Sequence, residues 1–320
     1  ANTTADNNTA VGSSALLVNT TGANNVAVGQ LALDANTTAS YNIAMGVNTL
    51  GATTTGASNT AVGNAAMNAN TTGAQNTAIG AVSLAANTTA DNNTAVGYYA
   101  LAANTTGHSN VAVGNYALDA ITTGIKCVAV GYNALGTNTD NSNTAIGYSA
   151  LALNTTGSTT VAVGAYALDA NTTGDNNVAV GNDSLSGNTT GAGNVAVGTS
   201  ALANNTTASN NTAVGYDALT ANTTGLQNVS IGRSSMAANT TGQNNVAVGS
   251  YALDANTTTS GNTAIGDYSL SANTAAYNTA VGQNAMIANT TGANNVAVGN
   301  FALDANTTAT ANTAFGYTAL

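Results

Sequence analysis

Side chains able to do acid, base or nucleophilic chemistry are scarce in this 320-residue chain. It has one histidine (His108), one cysteine (Cys127), one lysine (Lys126), one arginine (Arg233), twelve aspartates and no glutamate. A hydrolytic triad needs a base beside a nucleophile. His108 instead occupies a turn position that other copies of a repeat fill with residues such as Ala and Gln. Glycoside chemistry needs two carboxyl groups roughly 5–10 Å apart. The aspartates of the Ala-Leu-Asp-Ala motif recur only every three or five repeats, too sparsely to pair by stacking. With one Cys and one His there is no zinc spacing, and no phosphate-cradling loop carries a Lys. The nonapeptide that binds calcium between solenoid coils is absent. Asp140, Asp175 and Asp183, each near an Asn, are the nearest approach to a cation site. No catalytic residue, cofactor site or metal site is expected, and the chain reads as a non-enzyme.

The elements that would position any site are repeats. Aligned on the Gly that closes each Ala-Val-Gly or similar tripeptide, nineteen copies run from Gly12 to Gly316. The period is 17 residues, with two steps of 16, Gly131 to Gly147 and Gly266 to Gly282. Leu or Met stands four residues after every Gly, as at Leu118, Leu168 and Leu253 after Gly114, Gly164 and Gly249. Asn stands seven after, as at Asn104, Asn171 and Asn222, except at Thr53 and Ile121. A second Asn column precedes the strands, as at Asn93, Asn110 and Asn245. Above the short period lies a block of eight coils. The Ala-Leu-Asp-Ala aspartates Asp34, Asp169 and Asp304 are 135 residues apart, as are Asp119 and Asp254. Growth by block duplication suits a molecule whose value is its length.

Seventeen residues are too few for a helical hairpin repeat, which needs roughly 30. They suit one coil of an all-β, parallel β-solenoid, a β-roll of nineteen coils. Val111-Ala112-Val113 and its equivalents alternate as a strand does. Tyr-Ala-Leu is expected to be a second strand, and Asn-Thr-Thr-Gly a turn. Stacking at about 4.8 Å gives a rod of roughly 90 Å. It places Val113, Val163, Val248 and their Leu, Asn and Gly counterparts in ladders, with the Asn amides bonding up the stack. Residues 1–320 then form one continuous solenoid. Both ends fall inside a repeat and without caps, the expectation for a window of a longer fibre.

Which side of the strand faces inward is open at this level. If small Ala fills the interior, a Val/Ile stripe lies outside and demands a partner, most simply two further copies around a Val-lined axis. If Val is inside, a monomer suffices. The irregular coil Ile121, Lys126, Cys127 breaks both Asn columns. It marks either a contact or cross-link site, or drift with Cys127 packed as a small apolar residue. Asn-Thr-Thr is also a glycosylation sequon, in competition with a buried amide ladder.

With 4% charged residues and a net charge of −10, there is no basic footprint for nucleic acid or an anionic membrane. No apolar run is long enough to span a bilayer.

The repeated Val-Ala-Val-Gly and Thr-Ala-Ile-Gly, followed by Ala-Leu, resembles the head repeats of trimeric autotransporter adhesins, the YadA-like family. The best matches are Val111–Gly114, Val161–Gly164, Val246–Gly249 and Thr144–Gly147. Similar tracts look like phage tail-fibre segments. The resemblance implies a left-handed β-roll, a homotrimer and display at the cell surface. The family's repeat is shorter, the extra residues here falling in the Asn-Thr-Thr turn. The expected function is an extracellular structural or adhesive fibre that associates with itself and shows an Asn/Thr surface to a host or surface ligand such as a glycan. A phage tail-fibre shaft and an ice-binding solenoid, built on stacked Thr, are the alternatives.

Overall fold

The computed structural model describes residues 4–320. Residues 1–3 lie outside the described residues. The chain divides into two compact units, Ala1–Thr159 and Thr160–Leu320. Each repeat contributes one three-residue strand. The first unit holds β1 (Thr9–Val11) to β9 (Thr144–Ile146), the second β10 (Val161–Val163) to β19 (Thr313–Phe315). Within each unit successive strands pair in parallel and in register, for example Val161↔Val178, Ala162↔Ala179 and Val163↔Val180. The fold is an all-β parallel solenoid with a 17-residue coil.

The coil beginning at Val161 shows how the backbone is satisfied. Val161 N–H donates to Asn177 O (2.9 Å), Leu168 N–H to Ser184 O (3.1 Å) and Thr172 N–H to Thr189 O (2.9 Å), all one coil on. Gly181 N–H donates back to Val163 O (2.8 Å) and Asp183 N–H to Ala165 O (3.1 Å). Turn segments therefore join the coil-to-coil ladder as fully as the strand does, and the buried backbone finds partners all round the coil.

The Tyr-Ala-Leu stretch is not a second strand. Tyr166 and Leu168 have φ of 57° and 53°. Ala167 N–H closes a turn onto Gly164 O (3.3 Å) and Asn171 N–H a second onto Leu168 O (3.1 Å). A positive φ at the third turn position is normally given to Gly or Asn. Left-handed backbone costs an ordinary residue about 1–2 kcal/mol, whereas fully burying Leu stabilises by about 1.5–3 kcal/mol. Leu118, Leu168 and Leu253 are wholly buried, so burial outweighs the backbone term.

The interior is lined by Ala and Leu. The central strand residue is buried in every strand after β1 and is Ala except at Ser230. The flanking Val, Ile and Thr point outward. Val113 is 36% exposed and Ile265 40%, so Val is a ladder on the outer face and not part of the core. The arrangement with Val inside is thereby overturned. The reason is width: a coil with one three-residue strand and tight turns encloses room for methyl groups opposite Leu, and not for two Val per strand.

Gly114 shows how tightly the coils stack. Its φ is 139°, and a Cβ there would lie 2.3 Å from Gly131 O of the next coil. Gly164 and Gly249 meet the next coil's backbone in the same way, at 2.4 and 2.5 Å.

Candidate functional site: ladders and outer faces

The sequence places Asn at two positions per coil, and the fold turns both into buried ladders. In the column of Asn171 and Asn222, an amide can spend both hydrogens. Asn222 Nδ2 donates to Asn205 Oδ1 one coil back (2.9 Å) and to Gly225 O in its own turn (3.0 Å). Asn188 Nδ2 donates to Asn171 Oδ1 (2.8 Å) in the same way. In the second column, Asn245 N–H donates to Asn228 Oδ1 (3.0 Å), and Asn245 Nδ2 to Thr259 O (2.9 Å). A buried amide with its groups paired adds stability; one without a partner costs about 1–3 kcal/mol.

The two breaks in the first column show that cost. Thr53 and Ile121 offer no amide hydrogen to the preceding coil. Asn36 Oδ1 and Asn104 Oδ1, the acceptors they would have met, are buried with no partner. In the irregular coil Ile121 and Cys127 are both fully buried while Lys126 is exposed. Cys127 Sγ donates to Asp140 O (3.2 Å) and accepts from Asn138 Nδ2 (3.7 Å). Burial raises its thiol pKa. A thiol so placed reaches no partner outside its own fold without opening the coil.

The two 16-residue coils keep the ladder by a shared adjustment. Asn143 Nδ2 donates to Asn138 Oδ1 and Asn278 Nδ2 to Asn273 Oδ1, both at 3.0 Å, joining the two columns within one coil.

The Asn-Thr-Thr sequon asparagines Asn104, Asn171 and Asn222 are wholly buried. The first Thr of most turns is tied down: Thr172 Oγ1 donates to Thr189 O (3.0 Å) and Thr223 Oγ1 to Thr240 O (3.1 Å). The second Thr, as at Thr173 and Thr224, is exposed. It forms an outward rank, interrupted in the 16-residue coils at Asp140 and Ala275.

The outer strand face carries two columns. The third strand position is Val, Ile, Met or Phe in all nineteen strands, and neither outward position holds a charge. A tyrosine row follows in the first unit. Tyr98, Tyr99, Tyr116, Tyr132 and Tyr148 run over successive coils with neighbouring ring centroids 4.5–6.1 Å apart. Partial desolvation and the phenols of Tyr99 and Tyr116 raise the Tyr98 pKa. In the second unit Arg233 lies over Tyr251 (5.5 Å), which stacks on Tyr268 (5.1 Å). The row is hard to see in the sequence because some of its tyrosines stand one residue after the Gly and others two.

His108 is an exposed turn residue beside Ser109 (3.2 Å). Asp119, Asp169 and Asp254 are half-buried, and desolvation raises each carboxyl pKa. Among the described residues no group of three or more His, Cys, Asp or Glu could hold a metal ion. Among them, too, no pocket opens and no helix is long and apolar enough to cross a membrane. No protein-family model matches the chain, and no curated protein matches it.

Proposed function

We propose that this chain is a segment of an extracellular structural or adhesive fibre, not an enzyme, and that copies associate laterally along the Val/Ile strand face. One observation carries the reading: within each unit the third position of every strand is apolar, uncharged, and exposed or half-exposed. Contiguous apolar surface of this kind marks an interaction site. Parallel copies in register would bring identical Val and Ile rungs together, and three copies around a common axis would cover the stripe on every chain. The Asn/Thr turns would then form the displayed surface, open to a surface ligand such as a glycan. The resemblance to YadA-like head repeats supports the same arrangement and placement at the cell surface.

The test is molar mass in solution by light scattering, with cross-sections by electron microscopy. Three times the single-chain 30.9 kDa, or a larger fibre with three rods in section, is expected. Replacing Val113, Val163 and Val248 with Asp should lower the mass to one chain. A wild-type mass of one chain at all concentrations removes the reading.

The exposed rank of second threonines favours ice binding as a second reading. Their register follows the strand spacing of about 4.8 Å, but the neighbouring Thr hydroxyls are already donated to backbone. Thermal hysteresis that vanishes on Thr173→Tyr and Thr224→Tyr would establish it.

A further inference from the structure

We propose that the tyrosine row Tyr98–Tyr148 is a site of oxidative modification, where a one-electron oxidant couples neighbouring rings into dityrosine and staples successive coils covalently. Three observations lead there. The rings are close: Tyr116 and Tyr132 have centroids 6.1 Å apart, and Tyr132 and Tyr148 5.3 Å apart with planes within 14°. They are reachable, with Tyr98, Tyr99, Tyr132 and Tyr148 all exposed. They are also held in place by coil-to-coil backbone bonds, Tyr116 N–H to Tyr98 O (3.0 Å) and Ser149 N–H to Tyr132 O (2.9 Å). Proximity fixed in advance replaces diffusional encounter and raises the effective concentration of the two reacting groups.

The chemistry balances with hydrogen peroxide and a haem peroxidase as the oxidant. Each phenol gives up one electron and its proton. The two radicals join through ring carbons ortho to oxygen. Each new ring then loses that carbon's hydrogen as a proton and regains one on oxygen. Peroxide takes up the two electrons and two protons and leaves as two waters. Partners in the row are 16 to 18 residues apart in sequence, apart from the adjacent Tyr98 and Tyr99. Each such link therefore closes one coil onto the next.

Sequence makes the test direct. Lys126 and Arg233 are the only trypsin sites, so digestion of the denatured chain gives three peptides, 1–126, 127–233 and 234–320. Tyr116 and Tyr132 lie on opposite sides of Lys126. The full chain is treated with peroxide and peroxidase, denatured, digested and mapped by mass spectrometry and dityrosine fluorescence. The expected product joins 1–126 to 127–233, two hydrogens lighter than their sum, through Tyr116 and Tyr132. Its yield per chain should not change on dilution, Tyr132→Phe should abolish it, and the oxidised protein should unfold at a higher temperature.

Tyr41, Tyr216 and Tyr277 supply the control, because they are 64%, 55% and 66% exposed, more than any ring of the row. Coupling that maps to those three in proportion to exposure overturns the proposal. So does persistence of the joined peptide in Tyr132→Phe, or the absence of dityrosine.

Discussion

Asn104 Oδ1 is buried without a hydrogen-bond partner because Ile121, one coil on, takes the place of the asparagine whose amide would have reached it. Where an Asn follows an Asn in this column the donor is generally supplied, as from Asn222 to Asn205; at Asn256 the Thr259 hydroxyl supplies it instead. The ladder is thus a chain of dependences, each amide completing the one before.

Substitution within the ladder should therefore act on two coils. Asn222→Ala removes the donor to Asn205 Oδ1 and the acceptor for Asn239 Nδ2. A loss of about 2–6 kcal/mol is expected from two stranded buried groups at about 1–3 kcal/mol each. Thr53→Asn runs the other way, giving Asn36 Oδ1 a partner and raising stability by about 1 kcal/mol. In the irregular coil, Ile121→Asn alone gives up buried apolar surface of similar worth and should be near neutral. Combined with Cys127→Asn it should exceed the sum of the single changes, since neighbours in one network couple by about 0.5–3 kcal/mol. Urea denaturation of each variant measures these differences.

Glycine positions should separate sharply by what lies above them. Gly249→Ala must hold a φ of 136° and places its Cβ 2.5 Å from the backbone of Gly266. The conformation alone costs about 1–3 kcal/mol, and the backbone overlap adds to it, so folded yield should fall steeply. Gly193→Asn should stay within about 1 kcal/mol. Its φ is 67°, its nearest neighbour is the end of the Asn210 side chain, and Asn tolerates that region. Thermal unfolding of the two variants side by side checks the contrast.

Acid should stabilise this protein. Burial raises the folded-state pKa of Asp119, Asp169 and Asp254 above that of the unfolded chain. Between the two values the folded chain holds more protons than the unfolded one, so stability falls as pH rises through that window and is level above it. The urea midpoint should be higher at about pH 3, below the ordinary Asp range, than at neutrality. Asp119→Asn, Asp169→Asn and Asp254→Asn together should flatten the profile and raise the neutral value. Asp254 should contribute most visibly, because its Oδ1 is buried without a partner.

Folded protein recovered from a glycosylating host should carry no sugar at Asn104, Asn171 or Asn222. Their side chains are buried, and their Nδ2 hydrogens are donated within the coil. An attached glycan would have to enter the stack. Peptide mapping should find any sugar confined to exposed Asn-x-Thr sites such as Asn92 and Asn210.

The sequence alone determined the period, the parallel register and the Asn ladders. Identical residues every 17 positions leave one economical arrangement, in which Asn171 sits under Asn188 and Val161 under Val178. Two features were decided only by the tertiary structure. The first is which side of Val-Ala-Val faces in: a period of two looks the same from either face, and the narrow coil admitted Ala. The second is the path after each Gly. Tyr166 and Leu168 have side chains that favour extended or helical backbone, so nothing local announces their left-handed φ. That conformation is held by the Leu side chain entering the core and by hydrogen bonds to neighbouring coils, neither of which exists until the coils stack.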